Sequence, residues 1–279
     1  MQAIGVLAPD LVCEPVQLTT RGDQDRVTPI TALGEVGVFT DALERALLAG
    51  EIDLAVHSLK DLPIDERPGL TVAAVCMRED VRDVLVAAGG VTFASLPVGA
   101  RVGTSSLRRR AQLLAARNDI EAVAVRGNVD TRVRRALDGD LHGVVLAAAG
   151  LHRLGMHSVI AEYFDTTSMV PAPGQGALAI QCRADDPLLA LLQQLDEPAT
   201  RAAVTAERTF LATLGGGCSA PVGAWAQVNG ELAMTGIVAD PDGRQVIRVQ
   251  VSGSADDAAG LGQRAAERAL AQGAGALLP

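Results

Sequence analysis

Apolar residues fall into two rhythms along this chain, and the change of rhythm divides it. Through residue 214, short apolar runs alternate with longer segments whose apolar positions recur at helical spacing. Residues 38–48 predict a helix, with Phe39, Leu43, Ala46 and Leu47 near one face and Gly50 as its stop. Residues 53–56 and 70–77 predict short buried strands. Residues 98–103 predict a strand that runs into Thr104-Ser105-Ser106, and a helix over 107–117 follows. Strands at 122–125 and 144–148 flank a helix at 128–137, and 176–182 predicts a further strand. Such alternation predicts an α/β fold class built of parallel, doubly wound units.

The second rhythm begins after a long helix over 199–214, which stops at Gly215-Gly216-Gly217. Residues 222–228, 231–239 and 244–252 then predict three strands. Asn229-Gly230 and Asp240-Pro241-Asp242-Gly243 between them are hairpin chemistries. A helix over 255–272 closes the chain, which predicts a separate small C-terminal α+β domain.

Composition narrows the function classes. A chain of 279 residues suits two or three modest domains, and 48% hydrophobic against 20% charged residues excludes a disordered chain. Aromatics at 2% leave the core to Leu, Val, Ile and Ala and argue against base-stacking recognition of nucleic acid. The net charge of −9 opposes attraction to nucleic acid or to an anionic membrane as a whole, so local basic clusters stand out. Cys13, Cys76, Cys182 and Cys218 lie far apart with no CxxC pair, which suggests neither a zinc site nor a disulfide framework. Cys13, Cys76 and Cys182 read as core. With no apolar run of membrane-spanning length and no signal-like start, the expectation is a soluble cytoplasmic protein.

Four segments carry candidate chemistry. In Ala55-Val56-His57-Ser58-Leu59-Lys60-Asp61-Leu62-Pro63, Lys60 and Asp61 sit where a strand ends, the usual ligand edge of an open α/β sheet. The pair suits acid–base and charge-stabilising work, although an ordinary polar loop reads the same way. In Gly103-Thr104-Ser105-Ser106-Leu107-Arg108-Arg109-Arg110, Ser106 is an N-cap and three arginines oppose the helix dipole. Something negative should offset them, and a bound polyanion is one candidate. Val125-Arg126-Gly127-Asn128-Val129-Asp130-Thr131-Arg132 repeats the pattern, and Arg153 follows the next strand. Arginines at successive strand ends suit a ligand with several carboxylates or phosphates, whereas Arg110, Arg134 and Arg135 read as a solvated helix face. Last, Cys218 follows three glycines on a loop that a bulky group can approach. A thiolate there suits a nucleophile or an attachment point, and an inconsequential loop cysteine is the alternative. His142, His152 and His157 are scattered and carry no assignment.

In order and spacing these segments resemble the porphobilinogen deaminase (hydroxymethylbilane synthase) family. The resemblance runs from Thr20-Arg21-Gly22-Asp23 to the C-terminal helix and includes Val75-Cys76-Met77-Arg78-Glu79-Asp80-Val81-Arg82-Asp83 and Pro173-Gly174-Gln175-Gly176-Ala177. It implies two periplasmic-binding-protein-like lobes with mixed or parallel sheets plus a small C-terminal domain. Domain 1 would be residues 1–76 and 177–194, domain 2 residues 82–170, and domain 3 residues 199–279. It implies a transferase that joins four porphobilinogen molecules into hydroxymethylbilane, with loss of ammonia through an azafulvene, on a dipyrromethane cofactor held by Cys218. Asp61 matches the family's catalytic carboxylate. Lys60, Ser106, Arg108, Arg109, Arg126, Arg132 and Arg153 match positions that bind the acetate and propionate groups of cofactor and substrate. The resemblance further implies a monomer without a metal, and a flap formed by residues 21–36 and Phe39, in which Val36 replaces a lysine common in the family.

The family normally opens with a strand and helix bearing an Arg-x-Ser motif, and this chain begins at Met1-Gln2-Ala3 without one. The expectation is a weakened domain 1 and impaired activity in the chain as given, with either a true start upstream or a truncated paralogue. The rival readings are an inactive truncated paralogue or a carboxylate-binding module of the same fold, and a nucleic-acid binder using the arginines. Asp61 and Cys218 favour the enzyme over the first, and acidity disfavours the second.

Overall fold

In a computed structural model that describes residues 1–19, 40–217 and 220–278, three β-sheets organise the chain. The N-terminal stretch contributes α1 (Gln2–Leu7), α2 (Asp41–Leu48), β1 (Leu54–Ser58) and β2 (Leu70–Val75). The middle runs through β3 (Asp83–Val86), β4 (Arg101–Gly103), α3 (Leu107–Ala116), β5 (Glu121–Val123), α4 (Val129–Leu137), β6 (Gly143–Ala147), α5 (Ala148–Arg153) and β7 (Ile160–Tyr163). The chain returns through β8 (Leu178–Arg183) and α6 (Leu189–Leu192). It then enters α7 (Pro198–Thr213), β9 (Val222–Asn229), β10 (Glu231–Ala239), β11 (Val246–Gly253) and α8 (Ala258–Ala271).

The first sheet has the order β1-β8-β2, with β8 antiparallel to both neighbours. A strand that follows the middle region therefore completes the sheet of the N-terminal region, so the chain crosses between them twice. The second sheet has the order β5-β4-β6-β3-β7. Only β4 pairs in parallel, with β5 and β6, while β3 is antiparallel to β6 and β7. The fold is α/β with mixed sheets, which corrects the expectation of parallel, doubly wound units. The physical reason lies in β3 and β8, which enter their sheets along the two crossings and run antiparallel to their neighbours there.

Alternation missed β3 and β7. In β3 all four residues are buried, including Asp83, so a short run headed by a carboxylate carries no period. In β7 every residue is half-buried, and no alternation marks it. The strand expected over 98–103 begins only at Arg101, because Ala100 N–H closes a turn onto Pro97 O and leaves Val98 exposed. The start of the helix expected at 38–48 lies outside the described residues. Its described part is Asp41–Leu48.

In the C-terminal domain, two tight hairpins join β9, β10 and β11 in an antiparallel sheet, as the turn residues predict. One face is covered by α7 and α8. The Glu197 carboxylate accepts from Ala199 N–H and Thr200 N–H to start α7, with Pro198 in its first turn. Ala203, Ala206 and Phe210 then recur at helical spacing and bury against Leu232, Met234 and Leu261. The two helices meet at Gly262, where an added Cβ would overlap Ala206 O and lie 2.9 Å from Thr209 Cβ. Gly262→Ala is therefore expected to push α8 off α7 and cost about 1–3 kcal/mol. A thermal melt unchanged from the wild type would refute so close a crossing.

Candidate active site

β1 ends at Ser58 and passes into a 3-10 turn, Leu59–Asp61. Leu59 is buried and anchors the turn, and Leu59 N–H donates to Ala177 O on the returning chain. Anchored this way, the turn leaves Asp61 exposed and turns Lys60 inward. Lys60 Nζ donates to Gln175 Oε1 at 3.3 Å. Burial lowers the Lys60 pKa, and the neighbouring Asp61 opposes that shift.

The start of α3 is as the sequence predicts, with Ser106 Oγ accepting from Arg109 N–H. Its arginines are not. Arg108 and Arg109 are buried and converge on Asp83, which has no exposed surface. Arg108 Nη1 lies 2.7 Å from Asp83 Oδ2, and Arg109 Nη2 and Nε lie 2.7 and 3.0 Å from Oδ1. Gln175 Nε2 donates to the same Oδ1 at 2.8 Å and to Val81 O at 2.7 Å. Burial alone would raise the Asp83 pKa, but the two guanidinium groups overcome it and hold the carboxyl well below the usual range. Asp83 is thus the negative charge that offsets the helix dipole for Arg108 and Arg109, where the sequence suggested a bound polyanion. Arg110 turns the other way, to Asp242 and Pro241 O in the C-terminal domain. Its reading as a purely solvated residue is corrected, whereas Arg134 and Arg135 do lie on the helix surface with Asp130 and Asp140.

Arg132, on α4, is held by Nε donation to Gly127 O at 2.8 Å. Burial lowers its pKa, as do the charges of Arg109 and Arg126, and Asp61 opposes them. Lys60, Asp61, Arg108, Arg109, Arg126 and Arg132 therefore share one electrostatic neighbourhood, assembled from the ends of β1, β4, β5 and the 124–128 loop. Arg153 is exposed at the end of α5, with no ion pair to a described residue. Cys218 lies outside the described residues, as do Phe39 and residues 21–36.

This face is rich in cations within an acidic chain, and Arg108 Nε is buried without a partner among the described residues. Both features fit a ligand bearing several carboxylates, such as dipyrromethane. Among the described residues no cluster of His, Cys, Asp or Glu is placed to hold a metal ion, and no helix is long and apolar enough to cross a membrane. A cavity of about 550 Å³ lies elsewhere, on the C-terminal sheet beside Trp225, Thr235 and Gln250. None of the candidate residues lines it.

Four residues important to this arrangement carried no role at the level of sequence. Asp83 and Gln175 are two. Glu207 and Arg208, neighbours on α7, are the others. Glu207 is fully buried, pairs with Arg78 at 2.7 and 3.0 Å, and accepts from Gly174 N–H and Ala226 N–H. It ties the crossing segments to the C-terminal domain. The histidines also come together, because His152 and His157 stack with centroids 4.4 Å apart and His152 reaches Tyr163 and Glu79. Of the cysteines expected in the core, Cys182 is buried and Cys13 and Cys76 are half-buried.

Comparison with known proteins agrees with this geometry. The family description "Porphobilinogen deaminase, dipyromethane cofactor binding domain" matches residues 2–190, and "Porphobilinogen deaminase, C-terminal domain" matches residues 201–271. The chain is 51% identical to a porphobilinogen deaminase of Roseiflexus castenholzii, over 99% of this chain and 91% of that one. It is 46% identical to a porphobilinogen deaminase of Brevibacillus brevis, over 97% of this chain and 88% of that one. A solved lipoprotein of Bacillus subtilis is similar at a TM-score of 0.37 and 13% identity, over 54% of this chain and 72% of that one, a likeness too distant to bear on function. With two family domains in sequence and close relatives matched almost end to end, this chain belongs to the porphobilinogen deaminase family.

Proposed function

We propose that this chain joins four porphobilinogen molecules into hydroxymethylbilane, releasing ammonia, with Asp61 as the catalytic carboxylate. The observation that carries this reading is the exposed Asp61 carboxylate, whose charge acts on Lys60 and Arg132, with Arg109 and Arg126 acting on Arg132 in turn. Dipyrromethane held by Cys218 would supply the nucleophilic pyrrole carbon for the first addition, the free α-position of the growing chain would serve each later one, and water would release the finished tetrapyrrole as hydroxymethylbilane.

The chain's own residues divide the remaining work. Lys60, Ser106, Arg108, Arg109, Arg126, Arg132 and Arg153 bind the acetate and propionate carboxylates, the arginines through the N–H donors that their protein partners leave open. Arg108 and Arg109 arrive already oriented, since Asp83 holds them before any ligand binds. Orientation prepared in this way lowers the entropy lost on binding. Asp61 favours loss of the amino group by stabilising the positive charge that develops on the pyrrole nitrogen.

Three domains carry this function: residues 1–76 with 177–194, residues 82–170, and residues 199–279. What supports the division is that each holds one of the three sheets. The protein works as a cytoplasmic monomer without nucleic acid or membrane partners.

The testing experiment is the intact mass of the purified chain beside a Cys218→Ser control. An excess equal to one dipyrromethane, absent from the control, is expected. Equal modification of both proteins would remove Cys218 from the mechanism, and an unmodified wild type would favour the carboxylate-binding alternative.

A further inference from the structure

The turn that carries Lys60 and Asp61 is gripped from the C-terminal domain by one side chain. Arg208, in the C-terminal half of α7, donates from Nη1 to Leu59 O at 3.3 Å and to Leu62 O at 3.0 Å. Its Nη2 donates to Pro63 O at 2.6 Å and to Ile64 O at 3.3 Å. Both terminal nitrogens thus serve backbone carbonyls of a single segment, the one that brackets Asp61.

The segment cannot satisfy itself. A chain leaving a strand through a 3-10 turn projects carbonyls to which no ladder N–H donates, and Pro63 offers no N–H in return. Leu62 N–H closes one bond, to Leu59 O. The remaining acceptors need an external donor, and a guanidinium spans them as a rigid fork. A lysine ammonium, one nitrogen with three donors, cannot reach four carbonyls spread along the segment.

The surroundings prevent the turn from escaping this grip. Val204, one turn earlier on α7, packs with Leu59 and Leu62 in one buried cluster. Gly174, at φ 75°, also approaches so closely that an added Cβ would lie 3.1 Å from Leu59 Cγ and 3.3 Å from Lys60 N. The helix itself is fixed at the preceding residue, where Glu207 is locked by Arg78, Gly174 and Ala226.

We infer that Arg208 is a positioning residue, which sets where the Asp61 carboxylate stands relative to Arg132 by holding the backbone carbonyls of residues 59 and 62–64. It acts through the turn and does not touch substrate. The inference rests on the role given to Asp61 under the proposed function.

The test compares the full-length wild type with Arg208→Lys, each also in an Asp61→Asn background. Amide hydrogen exchange and steady-state kinetics with porphobilinogen are the readouts. In Arg208→Lys, exchange over residues 59–66 is expected to quicken by about tenfold while the rest of the chain is unchanged. The kcat should fall by about tenfold to a hundredfold with KM little altered. In the Asp61→Asn background the same substitution should change kcat by less than about twofold, because both changes act through one carboxylate. Unchanged exchange over 59–66, an unchanged kcat, or effects that multiply would each overturn the inference. Exchange that rises throughout the chain would assign Arg208 a merely structural role and overturn it as well. A wild type that releases no ammonia from porphobilinogen defeats the proposed function itself, whereas an active wild type matched by Arg208→Lys defeats this inference alone.

Discussion

Asp83→Asn is expected to cost about 3–5 kcal/mol of stability, the usual result of removing one partner from a buried ion pair. The substitution keeps the shape of the side chain and removes its charge. Arg108 and Arg109 would then share a buried site without the carboxylate that both now face at 2.7 Å. An asparagine amide nitrogen would also oppose guanidinium donors where a carboxylate oxygen now accepts. Against total stabilities of about 5–15 kcal/mol this is a large fraction, and urea unfolding should read it directly.

The same site sets a pH dependence. In the unfolded chain Asp83 takes up a proton near its ordinary value of 3.8, and in the folded chain only well below it. Between those points the unfolded state binds more protons, so stability falls as pH falls. The contribution of Asp83 is fully present above about pH 4 and is lost progressively in more acid solution. The gap between wild type and Asp83→Asn should therefore narrow below that point. A gap that stays constant into strong acid would mean that Asp83 is not the ionised partner of the two arginines.

Asp61→Asn should leave the fold nearly untouched, since Asp61 is exposed, and should lower kcat by about 10²- to 10⁴-fold. The amide still offers a carbonyl to a pyrrole N–H but can no longer neutralise the charge that forms as ammonia departs. A second consequence follows from the same charge. Asp61 favours the protonated form of Lys60 against the burial that lowers its pKa. Without Asp61 the Lys60 pKa falls further, so the alkaline loss of porphobilinogen binding should move to lower pH. Near-normal kcat in a folded, cofactor-loaded Asp61→Asn protein would remove this residue from the chemistry.

Much of this protein was legible in its sequence because the signals were local. The α/β class, the three C-terminal strands with their two hairpins, the Ser106 cap and the glycine stop after α7 each depend on a few neighbouring residues. The family was legible for a different reason, the order and spacing of motifs along nearly the whole chain. Strand direction was not legible. Nothing within Leu178–Arg183 says that it will lie between β1 and β2, which precede it by a hundred residues or more. Nor was the charge balance of the site. Three arginines after Ser106 look alike on paper, yet two turn into Asp83 and one turns out to Asp242. Asp83 is separated from them by about 25 residues, and Arg208 lies almost 150 residues from the turn it holds. Periodicity and capping report how a segment prefers to fold and which face it will bury. Which charge meets which, and which carbonyls lack a partner until a distant arginine arrives, is decided only when the elements pack, because burial makes those pairings obligatory.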